Sequence, residues 1–195
     1  MDKIRQSFSE ETGKKFSIAR TPAESVAQRF AVADLIHYPA LARELVKGNV
    51  ENALPRLNDT KDLPIYYSNG AHLNVSAQVP LDQRLAIEQR FFPILKGGDI
   101  LHVWLGETNP DPEALLKFNR KLANESWVGY WSHTKDITMC RTCGYVGGGL
   151  HSACPVCHSG AVKNYSRITG YYQDTSSWNE AKKQELLDRH RVRMT

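Results

Sequence analysis

The sequences Cys140-Arg141-Thr142-Cys143-Gly144 and Cys154-Pro155-Val156-Cys157-His158 hold all four cysteines of this 195-residue chain, with residues 144–153 between the two pairs. A two-residue gap lets two thiolates of one tight turn reach the same ion, and two such turns complete a tetrahedral site of four sulfurs. The spacing therefore predicts a structural zinc site in a small ribbon, which contributes folding free energy because no coordination position is open. Two alternatives stay open: a disulfide or redox pair, and replacement of one sulfur by His151 or His158.

A second unusual stretch follows the cysteines. Arg167-Ile168-Thr169-Gly170-Tyr171-Tyr172 places a glycine among β-branched and aromatic residues that favour strands. On local grounds, a glycine in a strand pattern marks a bulge, a bend or a close approach of two backbones. Ser177-Trp178-Asn179-Glu180 then has the pattern of a capping box, which predicts a helix to about Arg191 with Leu186 and Leu187 as its apolar contacts.

The N-terminal part of the chain is predicted to be helical. Residues 2–12 predict a helix that Gly13 ends. In Thr21-Pro22-Ala23-Glu24, Thr21 suits the N-cap, Pro22 the first helical position and Glu24 a capping box. We expect this helix to reach about Ile36, to break before Pro39 and to resume until Gly48. Local pattern favours a scaffold helix; the alternative is that its free N–H groups hold a phosphate or another anion, which Glu24 disfavours.

The middle of the chain predicts an α/β unit. Residues 100–105 form a nearly continuous apolar run, interrupted by His102, that is typical of a strand buried on both faces. Asp111-Pro112-Glu113 opens a helix to about Glu125, and Trp127 to Trp131 predicts the next strand. This order of strand, helix and strand is a βαβ signature, so we expect the two strands to pair in parallel.

Between these parts the signals are weaker. Residues 49–64 are polar with two prolines and predict a connector, and residues 80–92 predict a helix. The pair Tyr66-Tyr67 favours a strand and is followed by the Asn69-Gly70 turn signal, and residues 72–79 predict a second strand. Local pattern favours Asn69 as a turn former and His72 as a surface histidine; the alternative, a pocket role for both, comes only from the family resemblance given below.

Composition excludes several classes of protein. A formal net charge of +4 with 24% charged residues is mildly basic, and no Lys/Arg run is long enough for a nucleic-acid stripe. No segment approaches the ~18 apolar residues of a membrane span, and no signal-peptide core begins the chain. Cysteines arranged as metal pairs indicate a reducing cytosol, so we expect a cytoplasmic protein without nucleic-acid or membrane partners.

Taken together, the motifs resemble the C-terminal end of the anaerobic (class III) ribonucleoside-triphosphate reductases. The resemblance extends upstream in the same order and covers nearly the whole chain, but only part of that much longer enzyme. It implies an α/β fold in which residues 1–136 form half of a ten-stranded glycyl-radical-enzyme barrel, 137–165 the ribbon, and 166–195 the radical loop and a C-terminal helix. The matching stretches are Cys140 to Tyr145, Cys154 to Cys157, Arg167 to Tyr171, Trp178-Asn179, Lys182 to Leu186, Asp188-Arg189, Thr21 to Ser25, Tyr66 to Asn69 and Lys96 to Ile100.

By this resemblance, Gly170 carries a stored radical made by a separate radical S-adenosylmethionine activase with a 4Fe-4S cluster. The zinc on Cys140, Cys143, Cys154 and Cys157 is structural. The reaction is reduction of ribonucleoside triphosphates to deoxyribonucleotides for DNA synthesis, and the implied substrate contacts are Thr21, Ala23, Glu24, Ser25 and Asn69.

The family's thiyl cysteine lies upstream of the matched region, and all four cysteines here are assigned to zinc. The chain is therefore predicted to be the radical-bearing part of a split or truncated reductase, inactive without an N-terminal chain that supplies the cysteine, and oligomeric with it. One alternative is a glycyl-radical spare part that repairs an oxygen-cleaved enzyme. The other is a non-enzymatic zinc-ribbon protein that binds nucleic acid or another protein.

Overall fold

The computed structural model describes residues 1–20, 24–106, 109–168 and 170–194, without the side chain of Glu24. It is a mixed α/β structure in which short N-terminal elements and a βαβ unit precede a four-stranded sheet. The helices are α1 Asp2–Thr12, α2 Glu24–His37, α3 Pro39–Leu45, α4 Val50–Ala53, α5 Leu81–Glu88, α6 Pro112–Glu125 and α7 Glu180–Asp188. The strands are β1 Lys47–Gly48, β2 Ile65–Tyr66, β3 Leu101–Leu105, β4 Trp131–Lys135, β5 Ile137–Cys140, β6 Val146–Gly148, β7 Val162–Ser166 and β8 Gln173–Asp174.

The N-terminal helices largely follow the sequence signals. Helix α1 ends at Gly13, whose φ of 68° lies in the left-handed region as expected, and α2 and α3 separate before Pro39. The predicted stop at Gly48 is wrong, because Val46 is already extended and caps α3. Gly48 instead pairs with Ile65 in the antiparallel β1–β2 ladder, and α2, α3 and β2 share one apolar core.

Two predictions for residues 49–79 are wrong. The expected connector contains α4, which begins because the Asn49 side chain accepts a hydrogen bond from the Asn52 amide at 3.1 Å. The expected strand over residues 72–79 does not form. Its backbone groups bond to side chains of α5 instead: Glu88 accepts from the amides of His72 and Leu73, and Arg84 donates to nearby carbonyls.

The βαβ unit is confirmed. All five residues of β3 are buried, the Asp111 side chain caps α6, and β3 and β4 pair in parallel from Leu101 opposite Trp131 to Leu105 opposite Lys135. The second strand begins at Trp131 and not at Trp127, whose side chain is exposed. Half of a ten-stranded barrel is not seen: in the part of the chain that the structure describes, β3 and β4 are the parallel strands.

The four-stranded sheet has the order β6-β5-β7-β8 and is antiparallel throughout. Strand β7 pairs with β5 on one side and with β8 on the other, where Ser166 lies opposite Gln173. Residues 167–172 therefore connect β7 to β8 as a hairpin loop, which we call the Gly170 loop. Gly170 lies at a bend in this loop and not within a strand, so of the local interpretations the bend is confirmed and the strand bulge is wrong.

The C-terminal helix differs from prediction at both ends. The N-cap of α7 is Asn179, whose side chain accepts from the Lys182 amide at 2.8 Å, because Ser177 lies in a 3₁₀ turn and donates to the Asp174 carbonyl. The helix ends at Asp188 and not near Arg191. Leu186 is buried as expected, whereas Leu187 is 71% exposed.

Beyond α7, the chain returns along β3. The Val192 amide donates to the Trp104 carbonyl at 2.8 Å, and the Val192 carbonyl accepts from Gly106 at 2.9 Å. The C-terminal segment therefore occupies an edge of the βαβ unit. Across residues 1–20, 24–106, 109–168 and 170–194, every helix is too short or too polar to cross a bilayer.

Candidate metal centre and the Gly170 loop

The four cysteine sulfurs form one cluster. All of the Sγ atoms lie within 4.8 Å of one another, and the Cys140–Cys157 and Cys143–Cys154 pairs are each 3.6 Å apart. Tetrahedral zinc with Zn–S bonds of about 2.3 Å requires S···S distances of about 3.8 Å, whereas a disulfide needs about 2.05 Å. The donor set and its spacing therefore fit a metal ion such as zinc.

Each Cys-x-x-Cys pair lies on a turn of the same design. The Thr142 amide donates to Cys140 Sγ at 3.3 Å, and the Val156 amide donates to Cys154 Sγ at 3.4 Å. Gly144 and His158 end the two turns at φ of 76° and 58°, and their amides donate to the carbonyls of the first cysteines. The His158 position thus has a backbone role.

Among the described residues, the ligand atoms that lie together at this site belong to the four cysteines. Neither His151 nor His158 therefore replaces a sulfur. The His151 ring lies 3.1 Å from the Gly148 carbonyl, outside the cluster.

The four thiols differ in how readily they ionise. Amide hydrogen bonds, the first from Cys143, lower the pKa of Cys140 to about 6. The Tyr145 amide lowers the pKa of Cys143. The neighbouring Cys157 sulfur and desolvation outweigh this effect and raise that pKa to about 12. Four thiolates in one cluster need a compensating cation, which is the condition that a bound metal ion satisfies.

The base of the Gly170 loop is held by a buried polar junction. Ser166, the last residue of β7, donates to Asp136 at 2.6 Å and accepts from Arg189 at 3.1 Å. Arg191 forms an ion pair with the same Asp136 at 2.8 Å. The junction joins the sheet to the end of α7. Within the loop, Ile168 is buried against Trp178 and Leu186.

Gly170 faces an open cavity of about 260 Å³. A Cβ built on Gly170 would meet no atom within 4 Å, so its α-carbon is sterically accessible. The cavity wall also contains Gly70, where a φ of 72° and the close Ile168 carbonyl favour glycine. The cavity is lined by Arg20, Gly70, Gly98, Asp99, Ile100, His102, Tyr130, Ile168 and Gly170.

Charges in the cavity are paired, and its histidine is neutral. Arg20 forms ion pairs with Asp99 at 2.7 Å and with Glu88 at 3.6 Å. Burial, reinforced by the positive charge of Arg20, lowers the pKa of His102 to about 3. Neither ring nitrogen of His102 has a hydrogen-bond partner among the described residues, and the side chain is 4% exposed.

The structure brings together only part of the predicted site. Thr21 and Ala23 lie outside the described residues, as does the side chain of Glu24, whereas Ser25 is exposed on α2. Asn69 is buried immediately before Gly70 but does not line the cavity. Residues that the sequence analysis missed are Arg20, Asp99 and Arg167, together with a site role for His102. The one available signal was His102, a lone polar residue in an apolar run.

Similar solved structures define the class of fold to which this chain belongs. The fold is similar to a solved anaerobic ribonucleotide reductase with a TM-score of 0.72 and 22% identity, covering 100% of this chain and 28% of that one. A second similar structure is the reductase from Thermotoga maritima with glycerol in its active site, at a TM-score of 0.65 and 22% identity, covering 96% of this chain and 26% of that one. The fold is that of the anaerobic ribonucleotide reductases.

The sequence then identifies the family. Residues 1–191 match the family described as anaerobic ribonucleoside-triphosphate reductase, and the chain belongs to it. The Escherichia coli reductase is 26% identical over 97% of this chain and 26% of its own length, and the phage T4 reductase is 24% identical over 95% and 29%. The chain thus spans about a quarter of the length of the curated relatives it matches, from 24% to 29%.

Proposed function

We propose that this chain is the glycyl-radical-bearing C-terminal part of an anaerobic ribonucleoside-triphosphate reductase, reducing ribonucleotides together with a chain that supplies the thiyl cysteine. The observation that carries the proposal is the accessible α-carbon of Gly170 on a cavity, at the tip of a hairpin that leaves a four-cysteine ribbon. Residues 1–136 are assigned to the barrel part, 137–165 to the zinc ribbon, and 166–195 to the radical loop and final helix.

Glycine suits radical storage for a covalent reason. An α-carbon radical is delocalised over the flanking amide nitrogen and carbonyl, and glycine becomes planar at that atom without steric penalty because it lacks a Cβ. The open space beside Gly170 also admits a reacting group. A radical S-adenosylmethionine activase with a 4Fe-4S cluster is the proposed source, since cofactors carry this kind of radical chemistry.

The cysteines support a partner chain. All four sulfurs belong to one cluster that fits zinc, which would stabilise the ribbon and perform no redox chemistry. The chain contains four cysteines in total, so no thiol is free for hydrogen abstraction from the ribose. The thiyl cysteine then lies outside these 195 residues, and we assign it to the partner chain.

Exposed apolar surface also supports a larger assembly. Helix α2 carries apolar residues around its circumference, which is typical of a helix covered on more than one side. Phe30, Tyr38, Leu41 and Leu45 are each more than half exposed, and Leu41 and Leu45 lie one turn apart on α3. We assign this surface to the partner chain, with the ribonucleoside triphosphate bound near residues 21–25 and Asn69.

Electron paramagnetic resonance tests the radical site. The chain is incubated anaerobically with activase, S-adenosylmethionine and a reductant, as wild type, Gly170→Ala and Gly160→Ala. A Cβ at either glycine meets no atom within 4 Å, and neither has a positive φ, so both variants should fold. We expect a doublet from wild type and Gly160→Ala and none from Gly170→Ala. A doublet that survives in Gly170→Ala refutes the assignment.

Complementation tests the partner. The chain is mixed with a reductase truncated before its C-terminal region, or with a full-length reductase that oxygen has cleaved at its radical glycine. Activity with the truncated enzyme supports the split reductase, whereas rescue of the cleaved enzyme alone supports the spare-part alternative. Leu41→Glu/Leu45→Glu is expected to weaken assembly, whereas Leu116→Glu, an exposed position on α6, serves as its matched control.

A further inference from the structure

Arg167 joins the Gly170 loop to β4 through its whole guanidinium group. Nη1 donates to the Gly170 carbonyl at 3.3 Å, Nη2 donates to the His133 carbonyl at 3.0 Å and to the Ser132 hydroxyl, and Nε donates to Thr134 Oγ1 at 3.0 Å. The three β4 partners are consecutive residues. One side chain therefore connects the radical-bearing peptide unit to a strand of the βαβ unit.

Tyr172 joins the other side of the loop to the same strand. Its hydroxyl donates to the Lys135 carbonyl at 2.7 Å and accepts from the Lys135 amide at 3.2 Å. The Arg167 guanidinium carbon lies 5.1 Å from the centroid of the Tyr172 ring, within cation–π range. The residues three before and two after Gly170 thus contact each other and bond to neighbouring residues of β4.

We propose that Arg167 and Tyr172 form a clip, the Arg167–Tyr172 clip, that positions Gly170 against β4 and must open when the activase takes the loop. This inference rests on the proposed function. Arg167 has a second effect through the Gly170 carbonyl, over which an α-carbon radical is delocalised. A charged donor on that oxygen stabilises negative charge there and shifts the spin distribution between carbonyl and α-carbon. Both residues are positioning residues.

Hydrogen exchange of the chain before activation tests the clip without any radical. Arg167→Met is expected to raise amide exchange across residues 168–172 by at least about tenfold, the factor that corresponds to a lost charged hydrogen bond. Tyr172→Phe removes two hydrogen bonds and keeps the ring, so its increase should be smaller. Tyr171→Phe is the matched control, because that hydroxyl only accepts from Gln173 in the described structure. Exchange over β5–β7 in each variant reports whether the ribbon is folded.

The activated protein gives a second, spectroscopic readout. Arg167→Lys keeps the charge but loses the planar fork, so it should alter the hyperfine splitting of the doublet, while Tyr171→Phe leaves it unchanged. Wild-type exchange rates in the loop of both Arg167 variants would overturn the clip. If wild type gives no doublet but the exchange result holds, the radical assignment fails and the clip stands. The two failures are thus distinguishable.

Discussion

Replacing His102 by phenylalanine is expected to make the protein more resistant to acid. His102 is buried beside Trp104, with ring centroids 6.1 Å apart and an interplanar angle of 11°, and its ring nitrogens bond to none of the described residues. Phenylalanine keeps the flat ring and leaves no partner unsatisfied. The substitution therefore removes the ionisable group of His102 and keeps most of the packing of its ring.

The magnitude follows from the difference in pKa between the two states. Burial and the charge of Arg20 lower the pKa of His102 to about 3 in the folded protein, whereas the unfolded imidazole titrates near 6.5. Below about pH 6.5 the unfolded state binds the extra proton, so stability falls as the pH falls towards 3. Between about pH 7 and pH 5 the wild type loses about 2 kcal/mol through this residue, roughly a thirtyfold change in the folding equilibrium.

Urea unfolding at the two pH values measures this loss. The free energy of unfolding of His102→Phe should fall by about 2 kcal/mol less than that of the wild type. Protonation of the cysteine cluster affects both proteins equally and cancels in the difference. The exposed His37→Phe is the control and should behave as the wild type. An equal loss of stability in wild type and His102→Phe would refute the neutral buried imidazole.

Three further outcomes are expected. Chelation of the metal should raise amide exchange across residues 137–166 by at least about a hundredfold, since metal binding and folding of the ribbon are coupled; unchanged exchange would contradict a structural metal. Leu122→Ala, in the core of the βαβ unit, should lower the free energy of unfolding by about 2–5 kcal/mol, while Leu116→Ala, at an exposed position on the same helix, should change it by less than about 0.5 kcal/mol. Tyr66→Phe removes the 2.8 Å hydrogen bond to Asp188 and should lower the free energy of urea unfolding by about 1.5 kcal/mol. The exposed Tyr38→Phe is the control and should leave that free energy nearly unchanged.

Elements with strong local signals were predictable. The Cys-x-x-Cys spacing, the Asp111 cap of α6 and the apolar run of β3 are each specified by residues close together in sequence. Asn179 and Ser177 show the limit of such signals, because both are good caps. The Ser177 hydroxyl donates to the Asp174 carbonyl, so Asn179 caps the helix instead.

Side-chain contacts between separate parts of the chain explain the errors at residues 72–79 and in the cavity. Residues 72–79 have the pattern of a strand, but the side chains of Glu88 and Arg84 on α5 bond to their backbone groups, so no ladder forms. The same holds for the cavity, where Arg20 enters through its ion pairs with Asp99 and Glu88. Such contacts depend on tertiary packing, which no local pattern in the sequence contains.

The cysteine cluster and Gly170 are mechanically connected through β7. Cys140 lies opposite Val162 at the start of that strand, and Ser166 ends it at the buried junction with Asp136 and Arg189. The cluster fixes one end of a short strand and the junction the other, so the hairpin leaves the sheet in one direction. A ribbon without metal would release the first anchor and leave the buried junction and the Arg167–Tyr172 clip to position Gly170. A metal ion in the cysteine cluster would therefore bear directly on where the proposed radical is held, without taking part in the chemistry.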